Sequence, residues 1–256
     1  MNPNKEQISR AFAKSSAQYD NLAKFQQDVC KSLIDFSPVS NAISNILDAG
    51  CGTGYAAKFL HERFPQARIF GCDIAHKMLL QAKNDSFSGI CADLENMPFA
   101  NNCFDLIFSS LALQWCSLPK AFSEFNRVLK KNGQIVFSTL TVGTLREIET
   151  VFSEIDGHRH VINFADTENI MKLLADAYFL EIKTINRTWT TYHPDLKTLL
   201  QSIRGIGAGE VGTRRKTMMG KNAWKHIEEK YEKLRTNQGL PLTYEVLFIC
   251  AQKATL

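Results

Sequence analysis

Acidic residues and closely spaced glycines carry the clearest chemical signal in this sequence. Asp48 follows two apolar residues, and Gly50, Gly52 and Gly54 come directly after it. Glycine adopts turn conformations that a β-carbon forbids, and it allows a ligand to lie directly against the backbone. Placed between a strand and a helix, such a turn predicts a nucleotide-sized binding site at the carboxyl edge of a sheet.

The spacing of the glycines narrows the choice of ligand. A dinucleotide fingerprint needs Gly-x-Gly-x-x-Gly with a pyrophosphate at the start of the helix, but Tyr55 stands where the third glycine should be. An acid such as Asp48 would also repel a pyrophosphate, whereas it suits a ligand with an amino group and a positive sulfonium. The alternative is a plain strand-to-helix turn that binds nothing.

Two further acids follow predicted strands. Asp73 ends the strand 67–73 and lies 25 residues beyond Asp48, close to the offset of roughly 20 residues at which an acid binds ribose hydroxyls. Asp93 follows the strand 88–92, where it could pair with an adenine amino group between apolar neighbours, or simply cap a turn. Since ligands bind at the carboxyl ends of such strands, these acids and Gln114 are expected to form one site.

The predicted elements that position these residues alternate between strand and helix. Five such alternations predict an α/β fold, with a doubly wound, mostly parallel sheet and helices on both faces. Helices are also predicted over 5–36, 75–83 and 221–234, and a turn over 130–133. The chain is interpreted as a single domain with an N-terminal helical cap (1–40), an α/β core (45–192 and 240–256) and a basic helical insertion before the last strand (193–239).

Composition excludes several classes of protein. The chain has 256 residues, ample for one α/β domain, and no apolar run approaches the roughly 20 residues of a membrane span. The first six residues lack the apolar block of a signal peptide. Seven cysteines without a Cys-x-x-Cys pair indicate reduced thiols and a cytoplasmic location. His158 and His160 have no partner ligands at metal-binding spacing, so no metal is expected.

Positive charge is concentrated in one segment. The formal net charge is +4, and residues 197–235 hold ten Lys/Arg and four Glu, so the remaining chain carries a net charge of −2. Such a surplus is typical either of a surface for an acidic partner or of a solvated helical face. Glycines at 205, 207 and 209 make the first half of the segment a candidate mobile lid or docking element.

The glycine turn resembles motif I of the class I S-adenosylmethionine-dependent methyltransferases. Nearly the full chain is similar to one of their families, the BioC-type malonyl-[acyl-carrier protein] O-methyltransferases of biotin synthesis. Its most specific stretches are Leu113–Cys116 and Leu240–Val246. Segments 209–212 and 218–221 depart from the family pattern. The other matching stretches are 12–19, 47–54, 92–99, 104–112, 137–140, 143–145 and 206–208.

The resemblance implies a seven-stranded sheet, S-adenosylmethionine as methyl donor with S-adenosylhomocysteine as product, and the free carboxylate of malonyl-acyl-carrier protein as acceptor. A carboxylate is already ionised at neutral pH, so no general base is expected and catalysis depends on alignment of the reacting atoms. Together, spacing and resemblance predict a cofactor site formed by Tyr19, Asp48, Gly50, Cys51, Gly52, Gly54, Asp73, Ile74, Asp93, Leu94, Ser109 and Gln114.

Catalytic and partner-binding residues follow from the same resemblance. Tyr19 and Gln114 are interpreted as shaping the cofactor pocket, and Arg146 and Arg204 as candidates to receive the substrate carboxylate. The acidic carrier is expected to dock on the basic insertion, with no membrane or nucleic-acid partner. The residues predicted to bind the carrier are Arg204, Arg214, Arg215, Lys216 and Lys221.

Three other functions remain open on the sequence. A methyltransferase of the same fold that acts on a quinone precursor would use no carrier and would need a general base near Gln114. A nucleic-acid methyltransferase or binding module could use the basic segment, although Trp224 and Tyr231 are the only stacking aromatics there. A non-catalytic assembly factor with this fold is disfavoured by the intact acids and glycines.

Overall fold

The structure is a computed structural model that describes residues 4–38, 42–82, 87–153, 161–205 and 221–255, without the side chains of 204–205 and 221–223. These residues form one seven-stranded sheet in the order β3-β2-β1-β4-β5-β7-β6. Neighbouring strands are parallel except β7, which runs antiparallel to β5 and β6. The strands are β1 (Asn45–Ala49), β2 (Arg68–Asp73), β3 (Phe87–Cys91), β4 (Phe104–Ser110), β5 (Leu129–Leu140), β6 (Phe179–His193) and β7 (Leu240–Lys253).

Helices pack on both faces of the sheet, as the alternating pattern predicts. One turn of 3-10 helix, Leu113–Trp115, follows β4. Among the described residues, no helix combines the length and apolar composition needed to cross a membrane. The helices are α1 (Lys5–Ser15), α2 (Tyr19–Leu22), α3 (Lys24–Phe36), α4 (Ala57–Arg63), α5 (His76–Leu79), α6 (Leu118–Val128), α7 (Arg146–Ser153), α8 (Thr167–Asp176), α9 (Leu196–Gly205) and α10 (Lys221–Glu232).

The central strands show why the sheet has a hydrophobic layer on each face. Successive side chains of a strand point to opposite sides. In β4, Leu106 and Phe108 belong to the core that packs with α3, α4 and α7, while Ile107 belongs to the core that packs with α6 and α8. Because both faces are covered, the strand is nearly continuous in apolar residues.

Three local predictions were wrong in detail. The helical stretch 5–36 is divided into three helices, and the helix predicted over 75–83 ends at Leu79. Leu80, which follows this helix, is 65% exposed. The turn predicted over 130–133 is part of β5, where Asn132 has a φ of 60° next to a shift in register with β4. A residue that favours turns is accommodated here as an irregularity in the strand.

The edge strand β6 has fifteen residues and pairs with β7 along most of its length. Its register is interrupted between Leu180 and Lys183, and Glu181 has a φ of 52°. The interruption lies at the amino end of the strand, far from the carboxyl edge of β1, β2 and β4.

Candidate active site

The turn after β1 has the geometry that its glycines allow. Gly50, Gly52 and Gly54 have φ values of 76°, 54° and 76°, which are left-handed conformations that favour glycine. A β-carbon on Gly50 would lie 2.3 Å from Cβ of Ala112. The N–H groups of Gly50 and Cys51 donate to the carbonyl of Cys72 at 2.7 and 3.1 Å, which joins the turn to the end of β2.

Asp73 lies at the end of β2, directly under this turn. One carboxylate oxygen accepts the N–H of Gly52 at 2.9 Å, and the other accepts the N–H of Ala75 at 2.8 Å. Burial raises the pKa of Asp73, and the two backbone hydrogen bonds oppose that shift. A carboxylate offers about four acceptor positions, so each oxygen keeps the capacity to accept a hydroxyl of a vicinal diol.

Asp48 is buried beneath the same turn. It is 2% exposed, and its Oδ2 has no hydrogen-bond partner. Burial, with a further contribution from nearby Asp73, raises the pKa of Asp48 to about 8. A buried carboxylate without a partner is costly, so Asp48 keeps its proton up to about pH 8, and a positive charge nearby would favour its ionised form.

Asp93 begins a short turn after β3 and is held from two sides. Its Oδ1 accepts the N–H of Glu95 and the ammonium of Lys5, each at 3.0 Å. Lys5 also pairs with Glu95 at 2.6 Å. Asp93 therefore caps the turn, as the alternative interpretation held, and it also lines the cleft beside Leu94.

Helix α1 roofs the cleft with one face. The hydroxyl of Ser9 donates to the carbonyl of Ile74 at 3.0 Å. The ring of Phe12 packs edge-on against Trp115, with centroids 5.8 Å apart, and lies 6.3 Å from the ring of Tyr19. Burial and nearby Asp73 raise the pKa of Tyr19, so its phenol is neutral at physiological pH and cannot serve as a base there.

The structure brings most of the predicted cofactor residues to this one cleft. Its empty space is about 600 Å³, including open solvent at the mouth. The predicted residues that line it are Tyr19, Gly50, Gly52, Asp73, Ile74, Asp93 and Leu94. The sequence did not indicate Lys5, Ile8, Phe12, Met78, Ser110, Leu111, Ala112, Trp115 or Cys116, which line it as well.

Other predicted cofactor residues, Asp48 among them, do not line the cleft. Ser109 is fully buried, and its hydroxyl donates to the carbonyl of Ala49 at 2.7 Å, while its neighbour Ser110 lines the cleft. The prediction is thus displaced by one position, because adjacent strand residues face opposite ways. Cys51 is 7% exposed, and Gly54 lines a second surface cleft beside Tyr55.

The predicted catalytic residues Gln114 and Arg146 do not line the cofactor cleft. The amide of Gln114 donates to the carbonyl of Leu111 at 2.6 Å, and its oxygen accepts the hydroxyl of Thr139 at 3.5 Å. Arg146 is 56% exposed in its side chain and pairs with Glu245 at 3.0 Å. It lies at the start of α7, just beyond the carboxyl end of β5.

Several predictions concern residues outside the described part of the chain. These are the carrier-binding residues Arg214, Arg215 and Lys216, the side chains of Arg204 and Lys221, and the pair His158 and His160. Among the residues that are described, no group of three or more His, Cys, Asp or Glu side chains could hold a metal ion.

Comparison with known proteins agrees with the fold. A family model described as a methyltransferase domain matches residues 47–137. A putative methyltransferase from Bacillus halodurans superposes with a TM-score of 0.61 at 16% identity, covering 89% of this chain and 100% of that one. The strand order and the site define a class I methyltransferase.

Two curated relatives are similar over nearly their whole length. The malonyl-[acyl-carrier protein] O-methyltransferase of Herminiimonas arsenicoxydans is 44% identical, over 98% of this chain and 96% of the relative. The protein of the same name from Dechloromonas aromatica is 36% identical, over 98% and 95%. The chain therefore belongs to the malonyl-[acyl-carrier protein] O-methyltransferase family.

Proposed function

We propose that this protein transfers a methyl group from S-adenosylmethionine to the free carboxylate of a malonyl thioester on acyl-carrier protein. The product is the methyl ester that starts pimeloyl synthesis for biotin. The observation that carries the proposal is the 44% identity, over 98% of the chain, to a relative that bears the name of this activity. A cytoplasmic location is part of the proposal and is consistent with seven free cysteines.

Three acids in or behind the cleft fit the cofactor by their chemistry. Asp48 does not line the cleft, but its buried oxygen lacks a partner, and its charge would attract the amino group and the sulfonium from behind the glycine turn. Asp73 has acceptor capacity for both ribose hydroxyls, and Asp93 with Leu94 provides an acceptor and an apolar surface for the adenine. When bound, S-adenosylmethionine supplies the electrophilic methyl group, and the residues of the cleft hold it in a fixed orientation.

The acceptor needs alignment rather than activation. A malonyl carboxylate is ionised at neutral pH, so the site has to bring its oxygen into line with the methyl carbon and the sulfur. Tyr19 forms part of the wall without exchanging a proton, since its phenol is neutral. Arg146 is the candidate for binding the carboxylate because it is held at the end of β5 by Glu245, and Arg204 is the second candidate.

Carrier docking is assigned to the basic insertion, residues 193–239. Acyl-carrier proteins are acidic, and complementary charge speeds association and fixes orientation. The contacts are assigned to Arg204, Arg214, Arg215, Lys216 and Lys221. The division of the chain into a cap, a core and this insertion belongs to the same proposal, with the insertion as a lid that receives the carrier.

The test is transfer of labelled methyl from S-adenosylmethionine to malonyl-acyl-carrier protein, with malonyl-coenzyme A in parallel. A base-labile ester formed much faster on the carrier protein is the expected result. Equal rates on malonyl-coenzyme A and malonyl-acyl-carrier protein would support the methyl transfer to a malonyl carboxylate but contradict the docking assignment. Cofactor binding with no ester on either acceptor would overturn the proposal in favour of a quinone-type acceptor.

Charge reversal tests the docking assignment separately. Changing Arg214, Arg215 and Lys216 together to Glu should raise the apparent KM for the carrier-bound substrate and leave the KM for malonyl-coenzyme A unchanged. Reversal of Lys172, Lys120 and Lys77, which lie on other helices, is the matched control. An unchanged KM for the carrier in the first variant would contradict the assignment.

A further inference from the structure

The segment that follows β4 forms one wall of the cofactor cleft. Ser110, Leu111 and Ala112 line the cleft, and so do Trp115 and Cys116. Between them, Leu113 is fully buried in the core. Gln114 belongs to neither group, because its side chain turns back toward the segment itself and toward β5.

Leu111 has an unusual backbone conformation. Its φ is 51°, in the left-handed region that non-glycine residues rarely adopt. Such conformations persist only where the surrounding structure fixes them. The next residue, Ala112, is the one that a β-carbon on Gly50 would strike at 2.3 Å. The turn at Leu111 therefore decides how closely this wall approaches the glycine turn.

Hydrogen bonds hold the Leu111 backbone from both sides. Its N–H donates to the carbonyl and the hydroxyl of Ser138, at 3.0 and 3.2 Å. Its carbonyl accepts the side-chain amide of Gln114 at 2.6 Å. The hydroxyl of Thr139 reaches the oxygen of that amide at 3.5 Å, which favours the orientation in which the NH₂ group faces Leu111. Two consecutive residues of β5 thus support the wall.

We propose that Gln114 is a positioning residue: it clamps the carbonyl of Leu111, and so holds the wall formed by Leu111 and Ala112 against the bound cofactor. It acts through Leu111 and does not touch the methyl acceptor. The proposal rests on the proposed function only in taking S-adenosylmethionine and its product as the ligands of the cleft.

The test measures binding of S-adenosylhomocysteine by calorimetry, without any methyl acceptor. Gln114→Met keeps the length of the side chain and removes the donor. It should raise Kd about tenfold, the size expected for one lost hydrogen bond to a fixed backbone group. Gln252→Met is the matched control, since Gln252 also donates to a backbone carbonyl, that of Asn132, at 3.4 Å. It should leave Kd unchanged.

A double-mutant cycle separates clamping from direct contact. Ser138→Ala should also weaken binding, and the combination with Gln114→Met should cost less than the sum, because both side chains hold the backbone of the same residue, Leu111. Unchanged Kd in Gln114→Met, with a raised KM for the acceptor instead, would overturn the proposal. If Gln114→Met does not fold, Gln114→Leu, which is also uncharged and has no donor, must show the same loss.

The outcome is independent of the identity of the acceptor. If the wild-type protein binds S-adenosylhomocysteine but methylates no malonyl thioester, the proposed function fails and the clamp can still be measured. If malonyl transfer proceeds and Gln114→Met binds the product as tightly as the wild type, the clamp alone is refuted.

Discussion

The guanidinium of Arg146 donates to the carboxylate of Glu245 at 3.0 Å, which joins the first turn of α7 to strand β7. The same carboxylate accepts the hydroxyl of Thr188 at 2.7 Å. The backbone of Glu245 also bonds to Thr141 and Thr144 in the loop before α7. Glu245 therefore fixes the place of Arg146 through its side chain and through the loop that leads to it.

Arg146 gives the first prediction. Arg146→Lys keeps the charge but loses the planar fork that binds a carboxylate at two points. If Arg146 receives the substrate carboxylate, the KM for malonyl-acyl-carrier protein should rise about tenfold, while the affinity for S-adenosylhomocysteine stays unchanged. Stability should fall by less than about 1 kcal/mol, because the Arg146 side chain in this pair is 56% exposed. Steady-state kinetics and calorimetry measure these effects.

The control for this experiment lies at the amino ends of the parallel strands, away from the cleft. Arg68 begins β2 at its amino end and is exposed, so Arg68→Lys should change neither quantity. An unchanged KM in Arg146→Lys would remove Arg146 from the candidates and leave Arg204.

Asp48 gives a prediction about pH. The pKa of this carboxyl is about 8 in the folded protein, against 3.8 for an ordinary aspartate. Between these values the folded state holds a proton that the unfolded state releases. The free energy of unfolding of the cofactor-free protein should therefore fall as the pH rises from about 4 to about 8. Asp48→Asn should flatten this slope in urea unfolding followed across that range.

Asp105 is the control for this experiment, because its pKa is shifted in the opposite direction. Burial raises the pKa of Asp105, but its bonds to Lys130 and to two backbone N–H groups lower it overall. Its stabilising contribution is lost only as the pH falls through that lowered pKa, so Asp105→Asn should leave the slope between about pH 5 and about pH 8 as it is. If Asp48→Asn and the wild type showed the same slope, the raised pKa of Asp48 would not be the cause of the pH dependence.

The contact between the glycine turn and the wall gives a third prediction. Gly50→Ala should destabilise the protein by roughly 2–4 kcal/mol, from a left-handed backbone and a forced contact with Ala112. Adding Ala112→Gly removes the forced contact and should restore part of the loss, with roughly 1–2 kcal/mol remaining for the backbone. Chemical unfolding of the two variants measures both terms. No recovery in the double variant would show that Ala112 is not the obstacle.

Lys5 gives a prediction about cofactor exchange. Its ammonium joins the roof helix α1 to Asp93 and Glu95, so Lys5→Met should loosen the roof over that end of the cleft. The dissociation rate of S-adenosylhomocysteine should rise about two- to fivefold, because the lysine is partly exposed and such pairs contribute about 1 kcal/mol or less. Stopped-flow displacement measures the rate, with Lys120→Met on α6 as control. Equal rates in the two variants would refute the role of Lys5.

The sequence predicted those features that local pattern determines. The glycine turn, the acids at the ends of β1 and β2, and the alternation of strands and helices all follow from residue type and short spacing. Contacts between distant parts of the chain were not accessible in this way. Lys5 meets Asp93 across 88 positions, and nothing in either local pattern indicates the other.

The misplaced residues show a second limit, which is the direction of a side chain. Ser109 and Ser110 are identical in type, and the register of β4 with its neighbours decides which one faces the cleft. Gln114 was assigned to the cofactor pocket because of its position after β4. The left-handed turn at Leu111 directs it elsewhere, and leucine gives no sequence signal for such a turn.

The interruption in β6 has a consequence for behaviour at high concentration. A long outer strand offers a row of unpaired backbone groups that can template fibrillar association with another molecule. In β6 the irregular backbone at Glu181 breaks this row near its amino end. Two charged residues, Lys183 and Arg187, follow in the same strand. Both features oppose aggregation through this margin of the sheet, and regularising the strand would be expected to promote it.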